Sequence, residues 1–367
     1  MKKLLLVNVV CGVRSTGRIV SGIADEYQAK GYQVRIAYGR VGIPESEKDR
    51  AVRIGTDRDA RIHGLLTRAF DLHCFGSRRA TRKFLAWASS YDPDILWLHN
   101  IHGYYLHVGE LFAWIRQRPQ MEVRWTLHDC WAFTGHCAHF TATGCEKWRS
   151  GCRGRCPEKH SYPVCYLFSR VEKNYAEKKA LFQGLPRMTL ITPSQWLADT
   201  VKQSYLAEYP VEVMHTKIDR EVFKPTGGFD REAYHLQDKK IVLGVTVTWT
   251  KRKGWDDLLA LAEQLPEPYR LVLVGVTAKQ QEALPENITG IGRTNDQKEL
   301  AALYSAAECL VNPTYEDTYP TVNLEAEACG TRVIAYDVGG CRETLEREDS
   351  VVIPAGDTEK LLEAIVH

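Results

Sequence analysis

The chain has 367 residues, enough for roughly two domains of ordinary size. Its 48 basic and 46 acidic residues leave a net charge of +2, so no global field draws it to nucleic acid. With 44% hydrophobic and 26% charged residues it has the balance of a globular protein, and no apolar run reaches the roughly 18–20 residues of a membrane-crossing helix.

The first apolar run, Leu4–Val10, is short and strand-like. Cys11-Gly12-Val13-Arg14 offers no small-residue cleavage site, so the run is read as a buried β-strand and not as a secretory leader. A cytoplasmic protein is expected, with its 11 cysteines mostly reduced or bound to metal. Residues 12–18 read as a loop containing Gly12, Ser15, Thr16 and Gly17, with Arg18 close by. Ile19–Lys30 follows as a helix ended by Gly31, and Tyr32–Tyr38 as the next strand. Strand, loop, helix and strand in that order open a doubly wound sheet.

Arg58–Trp87 sets Arg58, Arg61, Arg68, Arg78, Arg79, Arg82 and Lys83 among Leu65, Leu66, Phe70, Phe75, Phe84 and Trp87. This helix-prone stretch fits an ordinary amphipathic helix with a solvated basic face, or one lying on an anionic membrane surface. Further strands are expected at Asp94–His99, Val123–Leu127, Thr189–Thr192 and Val211–Met214, with a helix from Trp196. Asn100, His102 and the pair His128-Asp129 follow strand ends, where ligand-contacting side chains collect.

Cys137, Cys145, Cys152 and Cys156 fall within twenty residues, among Gly144, Gly151 and Gly154. Four thiols so placed in a reducing compartment suit a structural tetrahedral zinc site, with His136, His139 or His160 as substitute ligands; the plain alternative is a set of reduced cysteines. The cluster reads as an insertion at about 130–160 in a first domain spanning 1–215.

Residues 216–225 read as a linker and 226–367 as a second α/β domain. Its strands are Lys240–Val247, Tyr269–Val274, Thr289–Gly292, Cys309–Asn312 and Thr331–Tyr336. Its helices are Gly254–Gln264 and Lys298–Ser305. The chain ends inside a helix pattern, Glu359–Val366, which fits loss of a last helix crossing back to the first domain. Two doubly wound domains leave a central cleft between their strand ends.

Two motifs of the second domain carry chemistry. Thr248-Trp249-Thr250-Lys251-Arg252-Lys253-Gly254 is a cationic turn between strand and helix, suited to a diphosphate. In Asn312–Gly330 the acids Glu316, Asp317 and Glu325 flank Thr318, Tyr319, Pro320 and Thr321 at a helix start. Backbone N–H groups there favour an anion while the carboxylates can hold hydroxyls. Val338-Gly339-Gly340 reads equally as a turn or a nucleotide-side loop.

The element order and Glu316–Gly330 resemble the retaining glycosyltransferases of family 4, which have the GT-B fold: two Rossmann-like domains facing a central cleft. Asp317 and Glu325 fall where that family places an acid, seven residues and a Glu. Lys253 and Gly254 match its Arg-x-x-x-x-Lys-Gly motif, but Thr248 replaces the arginine, leaving Arg252 or Lys251 to supply the second charge. Trp131–Gly135 after His128-Asp129 resembles the bacterial polysaccharide-assembly, colanic-acid-type branch.

The resemblance implies a nucleoside-diphosphate sugar donor bound without a catalytic metal. Arg252 and Lys253 would hold the diphosphate, Glu325 the ribose, Asp317 (or Glu316) and His128 the transferred sugar. Thr318, Tyr319 and Thr321 would line the donor, with Thr16 and Gly17 at the donor phosphate or acceptor. The implied acceptor is a glycan or a lipid-linked saccharide, reached by peripheral contact with the inner face of the membrane. A sugar-nucleotide epimerase and a non-catalytic glycan- or nucleotide-binding module are the competing readings.

Overall fold

Leu4, Leu5, Leu6 and Val7 are all fully buried, and that run explains the first sheet. A parallel sheet covered by helices on both faces needs apolar side chains at consecutive positions, not alternate ones. Each such side chain contributes about 1.5–3 kcal/mol when removed from water.

A computed structural model describes residues 1–294 and 296–367. The chain divides into two units, Met1–His215 and Thr216–His367. In chain order the first unit contains β1 (Lys3–Asn8), α1 (Arg14–Ala29), β2 (Gln33–Tyr38), β3 (Ala51–Arg53), α2 (Asp57–Phe70) and α3 (Arg78–Tyr91). It continues with β4 (Ile95–Leu98), α4 (Val108–Arg116), β5 (Glu122–Thr126), α5 (Val171–Phe182), β6 (Met188–Thr192), α6 (Gln195–Val201) and β7 (Val211–Val213). The sheet order is β3-β2-β1-β4-β5-β6-β7, and its pairs are parallel. The chain winds outward from β1 in one direction, then restarts at β4 on β1's other side. The switch point therefore lies between the carboxyl ends of β1 and β4, the place where doubly wound sheets bind ligands.

The second unit contains β8 (Lys240–Val245), α7 (Trp255–Gln264), β9 (Tyr269–Val274), α8 (Ala278–Glu282), β10 (Ile288–Ile291) and α9 (Gln297–Ala306). Then come β11 (Cys309–Asn312), α10 (Thr321–Ala328), β12 (Arg332–Tyr336), β13 (Val351–Ile353) and α11 (Thr358–Val366). Its order is β10-β9-β8-β11-β12-β13, again with parallel pairs, and the switch point falls between β8 and β11. The segment before β8 belongs to this unit's packing, because Phe223 and Leu236 are buried in its core.

Helix α1 starts at Arg14, about a turn and a half before the expected Ile19. Ser15, Thr16, Gly17 and Arg18 are therefore helical, and only residues 9–13 form the loop. A Cβ on Gly17 would sit 3.1 Å from Val10 and 3.3 Å from the Gly12 nitrogen, so a bare position lets the first turn close over the strand end. The other end of α1 behaves as expected: Gly31 takes a φ of +82° just past the helix.

The basic stretch Arg58–Trp87 is two helices, not one. On α3, Phe84 faces the core, and the guanidinium groups of Arg78 and Arg82 both pair with Glu110. On α2, His63, Gly64 and Thr67 face inward while Arg58, Arg61 and Arg68 face out.

Candidate active site

The two motifs of the second unit meet at its switch point. The loop after β8 carries Lys251–Lys253 as a single 3-10 turn, and the loop after β11 carries Glu316 and Asp317. They are joined by a backbone hydrogen bond from Tyr315 N–H to the Arg252 carbonyl, 2.8 Å. Lys253 Nζ lies 3.0 Å from Asp317 Oδ2 and donates to the Glu316 carbonyl (3.1 Å) and Thr314 Oγ1 (3.3 Å). Arg252 pairs with Glu316 at 2.6 Å. Burial works against the Lys253 charge, but Asp317 and Glu316 outweigh it and raise its pKa, so the ammonium stays charged.

Glycines permit this approach. Gly254 has φ +76°, and a Cβ there would lie 2.4 Å from the Pro313 carbonyl oxygen. Gly339, at φ +56°, would place a Cβ 1.8 Å from the Asp317 carbonyl oxygen, which instead accepts the Gly340 N–H. The Val338-Gly339-Gly340 turn thus braces the acidic loop.

Asp317 Oδ1 accepts the Tyr319 N–H at 3.2 Å, turning the chain toward α10. Thr318, Tyr319 and Pro320 are buried there, and Thr321 opens the helix. Pro320 stands as N-cap without a side-chain hydrogen bond, and no acid lies in the first turn. Glu325 sits one turn further on, where its Oε2 accepts the Tyr304 hydroxyl at 3.0 Å. On the buried side of α10, Asn323 accepts from Asn312 and donates to Thr344, fixing the helix to β11 and to the turn after β12.

In the first unit two histidines stand at strand ends on the same edge as the switch point. His128 follows β5 and His99 follows β4; their rings stack at 5.4 Å, with His128 Nε2 3.1 Å from His99 Nδ1. Burial pushes the His128 pKa down to about 4, so the imidazole is neutral. Asp129 Oδ2 lies 2.9 Å from His102 Nε2, and His102 Nδ1 lies 3.1 Å from the Tyr162 hydroxyl. Burial opposes the Asp129 charge, but His102 outweighs it and holds the pKa down to about 2. Thr16 sits in the first turn of α1, 3.4 Å from the Asn8 amide; Gly17 is buried beside it.

Comparison with known proteins separates family from fold. Residues 239–367 match the family described as glycosyl transferases group 1. This segment is similar to group 1 glycosyltransferase domains. Over 81% of its length the chain is 25% identical to WcaC of Escherichia coli K12, assigned as a glycosyl transferase of colanic acid biosynthesis, of which 73% is covered. It is 27% identical to the D-inositol 3-phosphate glycosyltransferase of a Mycobacterium species, over 35% of this chain and 32% of that one. The whole chain superposes on sucrose-phosphate synthase of Thermosynechococcus elongatus with a TM-score of 0.71 at 20% identity, covering 89% of that chain. It also superposes on Anabaena HepE in complex with UDP and glucose, with a TM-score of 0.65 at 15% identity, covering 89% of that chain. The fold is GT-B.

The matched segment contains both chemistry-bearing motifs of the second unit, and the cysteine cluster lies outside it. For that cluster the zinc expectation finds no support: among the described residues no group of three or more His, Cys, Asp or Glu is placed to hold a metal ion. Cys137, Cys145, Cys152 and Cys156 are free thiols around one small apolar pocket with Phe140 and Trp148. Burial raises the pKa of Cys137, Cys152 and Cys156.

The excursion is pinned by other means. His136, a spare ligand in the zinc reading, lies 2.7 Å from the fully buried Asp71 carboxylate, which also accepts the Arg170 N–H. Lys178 Nζ donates to the Trp131 carbonyl from above the Trp131 ring. Sequence reasoning missed His99 and Tyr304 as partners of His128 and Glu325. Their positions after a strand and in a helix carry no spacing signal, so only the fold could find them.

Proposed function

We propose that this protein is a retaining hexosyltransferase of family 4. It would move a sugar from a nucleoside-diphosphate sugar to a hydroxyl of a glycan or lipid-linked acceptor in surface polysaccharide synthesis, at the inner face of the membrane. The observation that carries the reading is Lys253, held between Asp317 and Glu316 at the switch point of the segment similar to group 1 glycosyltransferase domains. WcaC's assignment to colanic acid supports the polysaccharide setting, and HepE's complex with UDP and glucose supports the donor class.

The reaction breaks the bond between anomeric carbon and diphosphate oxygen and forms one to the acceptor oxygen. Negative charge grows on the departing diphosphate, and Lys253, Arg252 and the open N-terminus of α10 stabilise it most when it is fully developed. In the donor-free protein the two cations are occupied by Asp317 and Glu316. A diphosphate takes over the cations, and Asp317 is released to grip sugar hydroxyls. Glu325, one helical turn from the anion end, is spaced to accept ribose hydroxyls. Neutral His128 can donate to or accept from the transferred sugar. No side chain serves as a covalent nucleophile; the leaving diphosphate accepts the acceptor's proton on the face it departs from.

The test is a donor panel read by NMR in the presence of a polyprenyl-linked or oligosaccharide acceptor. Nucleoside diphosphate released together with a product of unchanged anomeric configuration is expected. An inverted product, or free sugar released at the same rate without acceptor, overturns the reading.

A further inference from the structure

Thirteen large hydrophobic side chains are exposed among the described residues, and six lie on two neighbouring segments of the first unit. Ile62, Leu65 and Phe70 belong to α2; Tyr166, Leu167 and Phe168 belong to the end of the cysteine-rich excursion. The segments are tied together: Tyr166 N–H donates to the Arg68 carbonyl, Phe168 N–H to the Ala69 carbonyl, and the Phe70 and Phe168 rings stack at 5.9 Å. Leu65 is 64% exposed and Phe168 66%. Scattered exposure of this kind needs no explanation, but a contiguous patch does.

The patch is bordered by positive charge in excess of the acids nearby, Asp59 beside Arg58 and Glu146 in the neighbouring cavity. Arg58, Arg61 and Arg68 share the outward face of α2 and form no salt bridge among the described residues. The two acids of that helix are spent elsewhere, Asp57 on Arg53 and Asp59 in the capping box with Thr56. Beside the patch lies a cavity of about 940 Å³ lined by Lys147, Arg155, Lys159 and His160. Lys159 Nζ joins the two features, donating to the Tyr166 and Leu167 carbonyls at 3.4 and 3.0 Å.

We propose that this face docks the first unit on an anionic phospholipid surface. Ile62, Leu65, Leu167 and Phe168 enter the acyl boundary, and the α2 arginines with the basic cavity sit among lipid phosphates. Charge decides the occupant: apolar area alone would suit a second copy of this chain, but the net positive charge of Arg58, Arg61 and Arg68 around the patch would repel its own copies. The proposal gives the membrane part of the proposed function a surface, and rests on that part without depending on the donor.

Flotation of the full chain with vesicles tests it. Binding to mixed phosphatidylglycerol and phosphatidylcholine vesicles is expected, with little binding to phosphatidylcholine alone. Arg58→Gln, Arg61→Gln and Arg68→Gln combined weaken it roughly a hundredfold, each arginine contributing about fivefold. Leu65→Ser with Leu167→Ser abolishes it. These side chains are exposed, so melting temperature and binding of UDP to the second unit stay unchanged in both variants. Failure to bind UDP would count against the donor reading alone. Equal binding to both vesicle types, no binding, or unaltered binding of the variants overturns the docking surface. So does a dimer in gel filtration that the same substitutions dissociate, which would assign the face to a second copy.

Discussion

Lys253 and Glu325 differ in what surrounds them, and that separates their mutational outcomes. Lys253 is partly open, and its partners Asp317 and the Glu316 carbonyl keep solvent or other donors when it is removed. Lys253→Ala should leave the melting temperature within a few degrees of wild type. It should cut kcat/KM by at least roughly a hundredfold, the size expected for losing one group aimed at developing charge. Steady-state kinetics on purified, folded variant decide this, and near-normal turnover would remove Lys253 from the site.

Glu325 accepts from a buried Tyr304 hydroxyl, so Glu325→Ala should also cost about 1–3 kcal/mol of stability in denaturant titration. Glu325→Gln retains an acceptor for Tyr304 and should fold normally while still losing donor affinity. A glutamine variant with wild-type transfer would mean that the carboxylate holds Tyr304 and nothing more. At this scale the sequence offered the acids and Lys253 as candidates through residue type, spacing and resemblance. It could not reveal that Arg252 pairs with Glu316, or that Asp129 serves His102, because both pairings depend on side-chain directions set by the loops.

Among the elements, the loops that follow β8, β11 and β12 are the critical ones. The first and last approach the middle one through a glycine that no other residue replaces without strain. Gly254→Ala forces a left-handed backbone, costing about 1–2 kcal/mol, and drives its Cβ against the Pro313 carbonyl. Gly339→Ala does the same against the Asp317 carbonyl. Both should lower the melting temperature and weaken nucleoside-diphosphate binding together. A variant that loses stability but binds as tightly as wild type would show that the braced loop is not the donor site. The strands were legible because buried parallel strands are continuous apolar runs. The start of α1 was not, because Ser15, Thr16 and Gly17 look like loop residues and become helical only by closing on the end of β1.

Over the whole molecule, the first unit encloses four histidines whose titration burial perturbs. The pKa of His63 and of His128 is pushed down to about 4, and those of His73 and His99 well below the usual value, in each case chiefly by burial. Such a group contributes its full stability above the unfolded value near 6.5 and loses it as pH falls toward 4, since only the unfolded chain then takes up the proton. Each costs about 1.4 kcal/mol per pH unit inside that window. Denaturant titrations at pH 7.5 and pH 5 should therefore show the first unit several kcal/mol weaker in acid. Equal stability at both would mean that these imidazoles are protonated in the folded state.

The sequence by itself determined the α/β class, pointed to two units and nominated candidate acids and cations in the second. These depend on local patterning: apolar runs, a cationic turn after a strand, acids spaced around a helix start. Tertiary structure alone decided which strands are neighbours. The order β10-β9-β8-β11 puts residues 251–253 beside residues 314–317, more than sixty positions later. It also decided that four closely spaced cysteines line one pocket, in an excursion pinned by Asp71 and His136, residues sixty-five apart. Local spacing carries no information about such pairings, because burial and strand adjacency are properties of the packed chain.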